Sequence, residues 1–234
     1  MNNFSRAMET AVDLILTLDA GLVEIVLLSL SISFTAVVLA TIIALPFGAA
    51  VALVRFPGRR AMIVLLNAAM GLPPVVVGLV VYLMLSRAGP LGSMGLLFTP
   101  TAMIIAQCIL VIPIIAALTR QTISDLHEEY DEQLRSLGCS TMQGIGTLLW
   151  DGRFRLMTAV LAGFGRAIAE VGAVIIVGGN ILHSTRIMTT TIALETSKGN
   201  LALALGLGII LVTLAASVNA AVMMIGDSAN RRYG

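Results

Sequence analysis

Charge is what this sequence has least of. Only 12% of its 234 residues are Asp, Glu, Lys or Arg, while 58% are hydrophobic, and the mean hydropathy is +0.98. A soluble domain carries about 25% charged residues, so this chain cannot cover a water-facing surface of its own size. That excludes an ordinary soluble protein and leaves an integral membrane protein. Acidic residues are missing altogether from residues 25–124. The net charge of +1 leaves no case for nucleic acid as a partner. The two cysteines, Cys108 and Cys139, match neither a disulfide framework nor a metal motif. His127 and His183 have no metal-ligating partners at useful spacing, so no metal and no cofactor is expected. No Ser/His/Asp set, no H-E-x-x-H and no G-x-x-x-x-G-K-[ST] is present. The chain is therefore expected not to be an enzyme, and any ATP it depends on is expected to be hydrolysed by a separate subunit. A cleavable signal is not expected either, because Asp13 and Asp19 interrupt the N-terminal region.

Long apolar runs are what the sequence does have. A bilayer core of about 30 Å takes about 20 apolar residues in a helix. Five stretches meet that length: residues 25–54, 61–86, 100–118, 156–179 and 201–226. Thr99 is placed to cap the third, with Pro100 at its first helical position. Residues 8–18 carry Val12, Ile15 and Leu16 on one side and Glu9 and Asp13 on the other, which predicts a short interfacial helix. The expected fold is all-α: a polytopic bundle of about five transmembrane helices, forming one membrane domain over residues 1–234.

Cations set the orientation. Arg55, Arg59, Arg60, Arg120, Arg135, Arg153, Arg155, Arg231 and Arg232 fall in one set of loops, and Arg6, Arg87, Arg186 and Lys198 in the other. The richer set is expected in the cytoplasm. This puts the N-terminus outside, the C-terminus inside and the loop of about 120–155 in the cytoplasm, in a multi-pass protein of the cell inner (plasma) membrane.

That loop breaks the apolar pattern. Asp125, Glu128, Glu129, Asp131 and Glu132 arrive almost together. Tyr130, Leu134 and Leu137 then recur at helical spacing, which predicts a short helix over residues 128–137. Gly138 can end it in the left-handed conformation. Ser140 and Gln143 have the spacing of a capping box, so a second helix is predicted over residues 141–150. A charged helix with one apolar edge suits a groove on another protein. It equally suits a solvated connector between spans.

The same residues resemble a known motif. Permease subunits of ATP-binding-cassette (ABC) importers carry E-A-A, three residues, Gly, nine residues, then I-x-L-P. Glu132 and Gly138 stand at that spacing here, with Leu148 in the Ile position. Gln133 and Leu134 replace the two alanines, and Trp150 and Asp151 replace Leu-Pro. Two further stretches, GLPPVVVGLVVYLMLSRAGPLG and FGRAIAEVGAVIIVGGN, resemble segments of the molybdate, tungstate and sulfate permeases. TTTIALETSKGN is more similar to the tungstate type. The resemblance covers residues 28 to the C-terminus. It implies a type I ABC importer permease with a cytoplasmic coupling helix around Glu132, Gln133, Leu137 and Gly138 docking on an ABC ATPase subunit. It also implies an extracytoplasmic substrate-binding protein that delivers tungstate, or molybdate. Five spans are few to enclose a pathway, and the chain has one coupling loop, so a second copy of itself is expected as a partner within the lipid bilayer. The alternatives are a sulfate-type ABC permease, and a secondary transporter using Arg166 and Glu170 as an ion site.

Arg166 and Glu170 sit at i, i+4 in the fourth apolar stretch. A charge near the bilayer centre costs roughly 2.5–3.5 kcal/mol or more, and this spacing lets two opposite charges meet on one helix face. The pair suits a structural ion pair, a substrate contact or a lock on the pathway. Pro73 and Pro74 free backbone carbonyls in the second stretch, which membranes tolerate where protein or a wet cavity satisfies them. A packing kink and a pathway-lining hinge both fit. Asn180, after Gly178 and Gly179, suits an extracellular gate or a plain helix C-cap.

Overall fold

The computed structural model describes residues 3–233, without the side chains of residues 3, 4, 6, 7, 14, 135, 222, 223 and 225–233. Four cations of the tally above, Arg6, Arg135, Arg231 and Arg232, thus have side chains outside the described set. All regular structure among the described residues is helical. The α-helices are α1 (Asn3–Leu16), α2 (Ala20–Leu53), α3 (Arg59–Met70), α4 (Pro74–Leu85), α5 (Pro100–Ser136), α6 (Thr141–Asp151), α7 (Arg153–Ile168), α8 (Gly172–Gly178), α9 (Met188–Lys198) and α10 (Leu201–Tyr233). A single 3₁₀ turn, Gly92–Met94, lies between α4 and α5.

Among the described residues three of these, α2, α5 and α10, are long and apolar enough to cross a membrane unaided, and the number is up to five when each of the bent pairs α3–α4 and α7–α8 is counted as one span. The all-helical, multi-span expectation holds, with two corrections. The second stretch is not one continuous helix: α3 and α4, 12 residues each, meet at 101°. Each is about 18 Å long and falls short of a hydrocarbon core of about 30 Å. The fourth stretch bends by 55° between α7 and α8. Pro46 and Pro113, by contrast, lie inside continuous helices.

The chain forms two compact units. The first comprises the chain up to Ala36, Pro73–Gln107 and Ala167–Val218; the second comprises Val37–Leu72, Cys108–Arg166 and the chain from Asn219. Within the first, α4 packs on α8, and a Cβ on Gly78 would lie 2.8 Å from the Ala173 Cα. A small residue is what lets the two backbones come this close. Leu22, Met188 and Leu207 make a second buried cluster there.

In the second unit, Ala49 and Ala52 of α2, Ile123 and Leu126 of α5, Leu148 of α6 and Leu156 of α7 share one buried cluster. Tyr130, Leu134, Ile145 and Leu149 pack against it. Arg59, the first residue of α3, ties the α2 end: Nε donates to the Val51 carbonyl at 2.8 Å and Nη2 to the Ala52 carbonyl at 2.7 Å. A cation at a helix C-terminus satisfies orphan carbonyls and suits the helix dipole. Arg59→Ala is expected to cost about 1–2 kcal/mol, read as a lower Tm in detergent. Arg59→Lys should recover part of it; an unchanged Tm for Arg59→Ala would show the clamp to be idle.

Candidate functional site: two broken helices and a charged joint

In the first unit the two breaks lie side by side. A Cβ on Gly172 would sit 3.0 Å from Val75 Cγ2 and 3.5 Å from Pro74 Cβ. Pro73 and Pro74 are thus brought next to the start of α8. Two of the last α3 carbonyls are paired there: Gly71 N–H donates to the Ala68 carbonyl and Leu72 N–H to the Ala69 carbonyl. Pro74 at the first turn of α4 removes an N–H that would have lacked a partner.

At the second break, the predicted helical register of Arg166 and Glu170 does not survive. The α7 helix ends at Ile168, and Glu170 lies in the bend. Arg166 occupies the last turn of α7 and is half-buried. Glu170 is 2% exposed, and its carboxylate accepts the Ala173 N–H at 2.9 Å in the first turn of α8. Its backbone carbonyl accepts the Thr189 hydroxyl at 2.8 Å. The carbonyl of Ala167, freed by the bend, takes the Gln107 Nε2 amide at 3.1 Å and the Glu170 N–H at 3.2 Å. Protein groups thus complete the irregular backbone of the bend, the condition under which a membrane span tolerates one.

Asn180 follows Gly179, which caps α8 in the left-handed conformation with φ +70°. Asn180 itself has φ +51°, and its Oδ1 accepts the Thr190 hydroxyl at 3.0 Å. The first turn of α9 therefore holds both ends of α8, through Thr189 and Thr190. Beyond it, the Lys198 ammonium and then the Asn200 amide donate to the Glu195 carboxylate and hold it below the usual carboxylate range. His183 faces a carboxylate: Nδ1 lies 2.8 Å from Glu24 Oε2.

The joint between α5 and α6 belongs to the second unit. The helix predicted over residues 128–137 is the last part of α5, which runs unbroken to Ser136. The reason is continuity of its buried side: Ile123, Leu126, Tyr130 and Leu134 all reach the same cluster. Gly138 then turns the chain with φ +66°, and Cys139 N–H reaches back to the Leu134 carbonyl at 3.0 Å. The capping box forms as the spacing predicts. Ser140 Oγ accepts from the Gln143 N–H, and Gln143 Oε1 accepts from the Ser140 N–H at 2.9 Å. Glu132, Gln133, Leu137 and Gly138 are all exposed. Two depressions flank the joint. One of about 500 Å³ includes Arg55, His127, Asp131 and Cys139; the other, of about 280 Å³, includes Tyr130, Leu134 and Trp150.

Three side chains of these sites escaped the sequence reading. Gln107 is a lone amide in an apolar run, a signal that was available because membranes rarely bury such a group idly. Thr189 sits in a run of three threonines, and Trp150 stood out only as a departure from the I-x-L-P ending.

Comparison with known proteins places this architecture. Residues 44–233 match the model of the binding-protein-dependent transport system inner membrane components, and the chain belongs to that family. It is a multi-pass membrane protein with a transport role. A tungstate uptake system permease protein, TupB, from Peptoclostridium acidaminophilum is 38% identical over 227 residues, covering 97% of this chain and all of the relative. A probable anion ABC transporter permease protein from Haloferax volcanii is 40% identical over 218 residues, 91% of this chain and 94% of the relative. A sulfate transport system permease protein, CysW, from Synechocystis is 28% identical over 172 residues, 69% of this chain and 61% of the relative.

Proposed function

We propose that the chain is the permease subunit of an ATP-driven importer for a tetrahedral oxyanion, tungstate first and molybdate second. The observation that carries the reading is the 38% identity spread over the whole length of a tungstate permease, against 28% over a shorter match to a sulfate permease. The single permease domain works with a second copy of itself, an ABC ATPase below and an extracytoplasmic binding protein above. The nine-to-four cation count supports a cytoplasmic C-terminus and joint, with the N-terminus outside.

In this reading the joint around Glu132, Gln133, Leu137 and Gly138 transmits the closure of the ATPase pair. The paired breaks at Pro73–Pro74 and Glu170, with Arg166 and Asn180, line or gate the path. Their geometry supports a gate: α4 and α8 are short rods set on hinges, and α9 ties the α8 ends. Arg166 attracts the anion, and the carboxylate of Glu170 shapes the bend beside it.

The test is ATP-driven uptake in proteoliposomes holding this chain, its ATPase and its binding protein, with tungstate, molybdate and sulfate competing at equal concentration. Tungstate is expected to win, with molybdate second. Uptake won by sulfate would keep the mechanism and overturn the substrate. No ATP-dependent uptake of any of the three, in a complex that hydrolyses ATP, would sink the oxyanion reading.

A further inference from the structure

One arginine of the first unit has a fixed backbone and an unused side chain. Between α8 and α9, the N–H groups of Ser184, Thr185 and Arg186 all converge on the Ile181 carbonyl, at 3.2, 3.0 and 3.0 Å. The buried Thr185 hydroxyl donates to the Gly178 carbonyl and accepts the Ile181 N–H at 2.9 Å. Ile187, on the other side of Arg186, is buried as well. The turn therefore presents Arg186 from a rigid base, with its side chain partly buried. The guanidinium is not used in the same way. Nη2 lies 3.5 Å from the Asn180 carbonyl oxygen, the outer limit of a hydrogen bond. Nε is enclosed and has no hydrogen-bond partner. Arg59 shows what a structural arginine does in this fold: its Nε and Nη2 fill two carbonyls at 2.8 and 2.7 Å.

The nearby carboxylate does not take up the slack. Glu195 feels the Arg186 charge, yet its Oε1 is taken by Lys198 and its Oε2 by Asn200, each at 3.0 Å. Among the described residues no ion pair joins Arg186 to an acid. An enclosed N–H on a cation calls for an acceptor that brings negative charge with it and is not part of the fold. A tetrahedral oxyanion has that chemistry, because two guanidinium N–H groups match two of its oxygens. Such an oxyanion comes either as a soluble substrate or as the phosphate of a lipid headgroup. The turn lies next to Asn180 at the end of α8, beside the bent span already placed on the path, which favours the soluble source.

We propose that Arg186 is a substrate contact, the guanidinium that receives the oxyanion at the Asn180 end of α8. This rests on the oxyanion-importer reading above. A single guanidinium reads charge and tetrahedral oxygens, not the central atom, so it speeds entry of tungstate and molybdate alike. In proteoliposomes with saturating loaded binding protein, Arg186→Gln is expected to lower uptake of both anions by about tenfold or more. Arg186→Lys, which keeps the charge without the fork, should recover part of that. Thermal stability and affinity for the binding protein should stay as in the unmodified complex. The direct readout is ¹⁵N NMR of the full-length chain in nanodiscs, labelled at arginine Nε, with the Arg186 resonance assigned by its loss in Arg186→Lys. That resonance is expected to move with tungstate and not with chloride at equal ionic strength. A resonance that ignores tungstate, but moves when phosphatidylcholine is exchanged for phosphatidylglycerol, would make the ligand a headgroup and overturn the proposal. So would unchanged uptake in Arg186→Gln, a loss that tracks weaker docking of the binding protein, or a loss that tracks a lower Tm in both variants. If the unmodified complex hydrolyses ATP but takes up no oxyanion, the importer reading itself fails, and this proposal with it.

Discussion

Glu170→Ala is expected to lose more than tenfold of transport and about 1–3 kcal/mol of stability, while Glu170→Gln keeps most of both. The carboxylate is buried, and it accepts the Ala173 N–H at 2.9 Å. Alanine leaves that N–H without the buried acceptor it now has. Glutamine keeps an oxygen at the same reach. The pair of variants therefore separates an acceptor from a charge. Thermal unfolding in detergent, run beside uptake in proteoliposomes, reads both. If glutamine is as inactive as alanine and equally stable as the unmodified chain, then the negative charge acts on the path directly and the cap is incidental. If alanine is fully stable, the start of α8 does not depend on Glu170.

The second large effect is expected at Gly138. With φ +66°, an L residue there is strained by about 1–2 kcal/mol. A Cβ at this position would meet nothing within 4 Å, so the strain is conformational and not a clash. Gly138→Val is expected to leave the protein folded and inserted but to reorient α6. Uptake should fall by an order of magnitude while the complex still hydrolyses ATP. Gly138→Asn should be far milder, since asparagine tolerates the left-handed region. Equal uptake from the valine and asparagine variants would show that the angle of the joint does not matter to transport.

These two residues also mark what could be read from the sequence. Gly138, the Ser140–Gln143 box and the Thr99–Pro100 start are local: each needs only residues within a few positions, and each forms as spaced. The Thr99 hydroxyl accepts the Ala102 N–H at 3.4 Å. The bend at Glu170 is not local. Hydropathy runs smoothly from α7 into α8, and i, i+4 spacing suggested one helix carrying an ion pair. What breaks it is tertiary: α4 comes close enough at Gly78 to claim α8 as a separate rod, and Gln107 and Thr189 supply the hydrogen bonds that a continuous helix would have made itself. Pro73–Pro74 announced the other break, but not its angle of 101°. The full length of α5 was hidden for the opposite reason. The acidic run from Asp125 looked like the end of a span, yet the helix continues because one face stays in the apolar cluster.

The packing of α4 on α8 has a consequence for how the protein is made. Ala173 follows Gly78 by 95 residues in the chain. At a synthesis rate of about 5–20 residues per second, α4 exists for roughly 5–20 s before the helix it was shaped for leaves the ribosome. Neither short rod is long enough to cross a bilayer alone, and during that interval α4 lacks the α8 backbone that Gly78 packs against. The order of synthesis makes this a protein whose second apolar stretch is finished by its fourth, and any pause in translation between the two lengthens the time it waits.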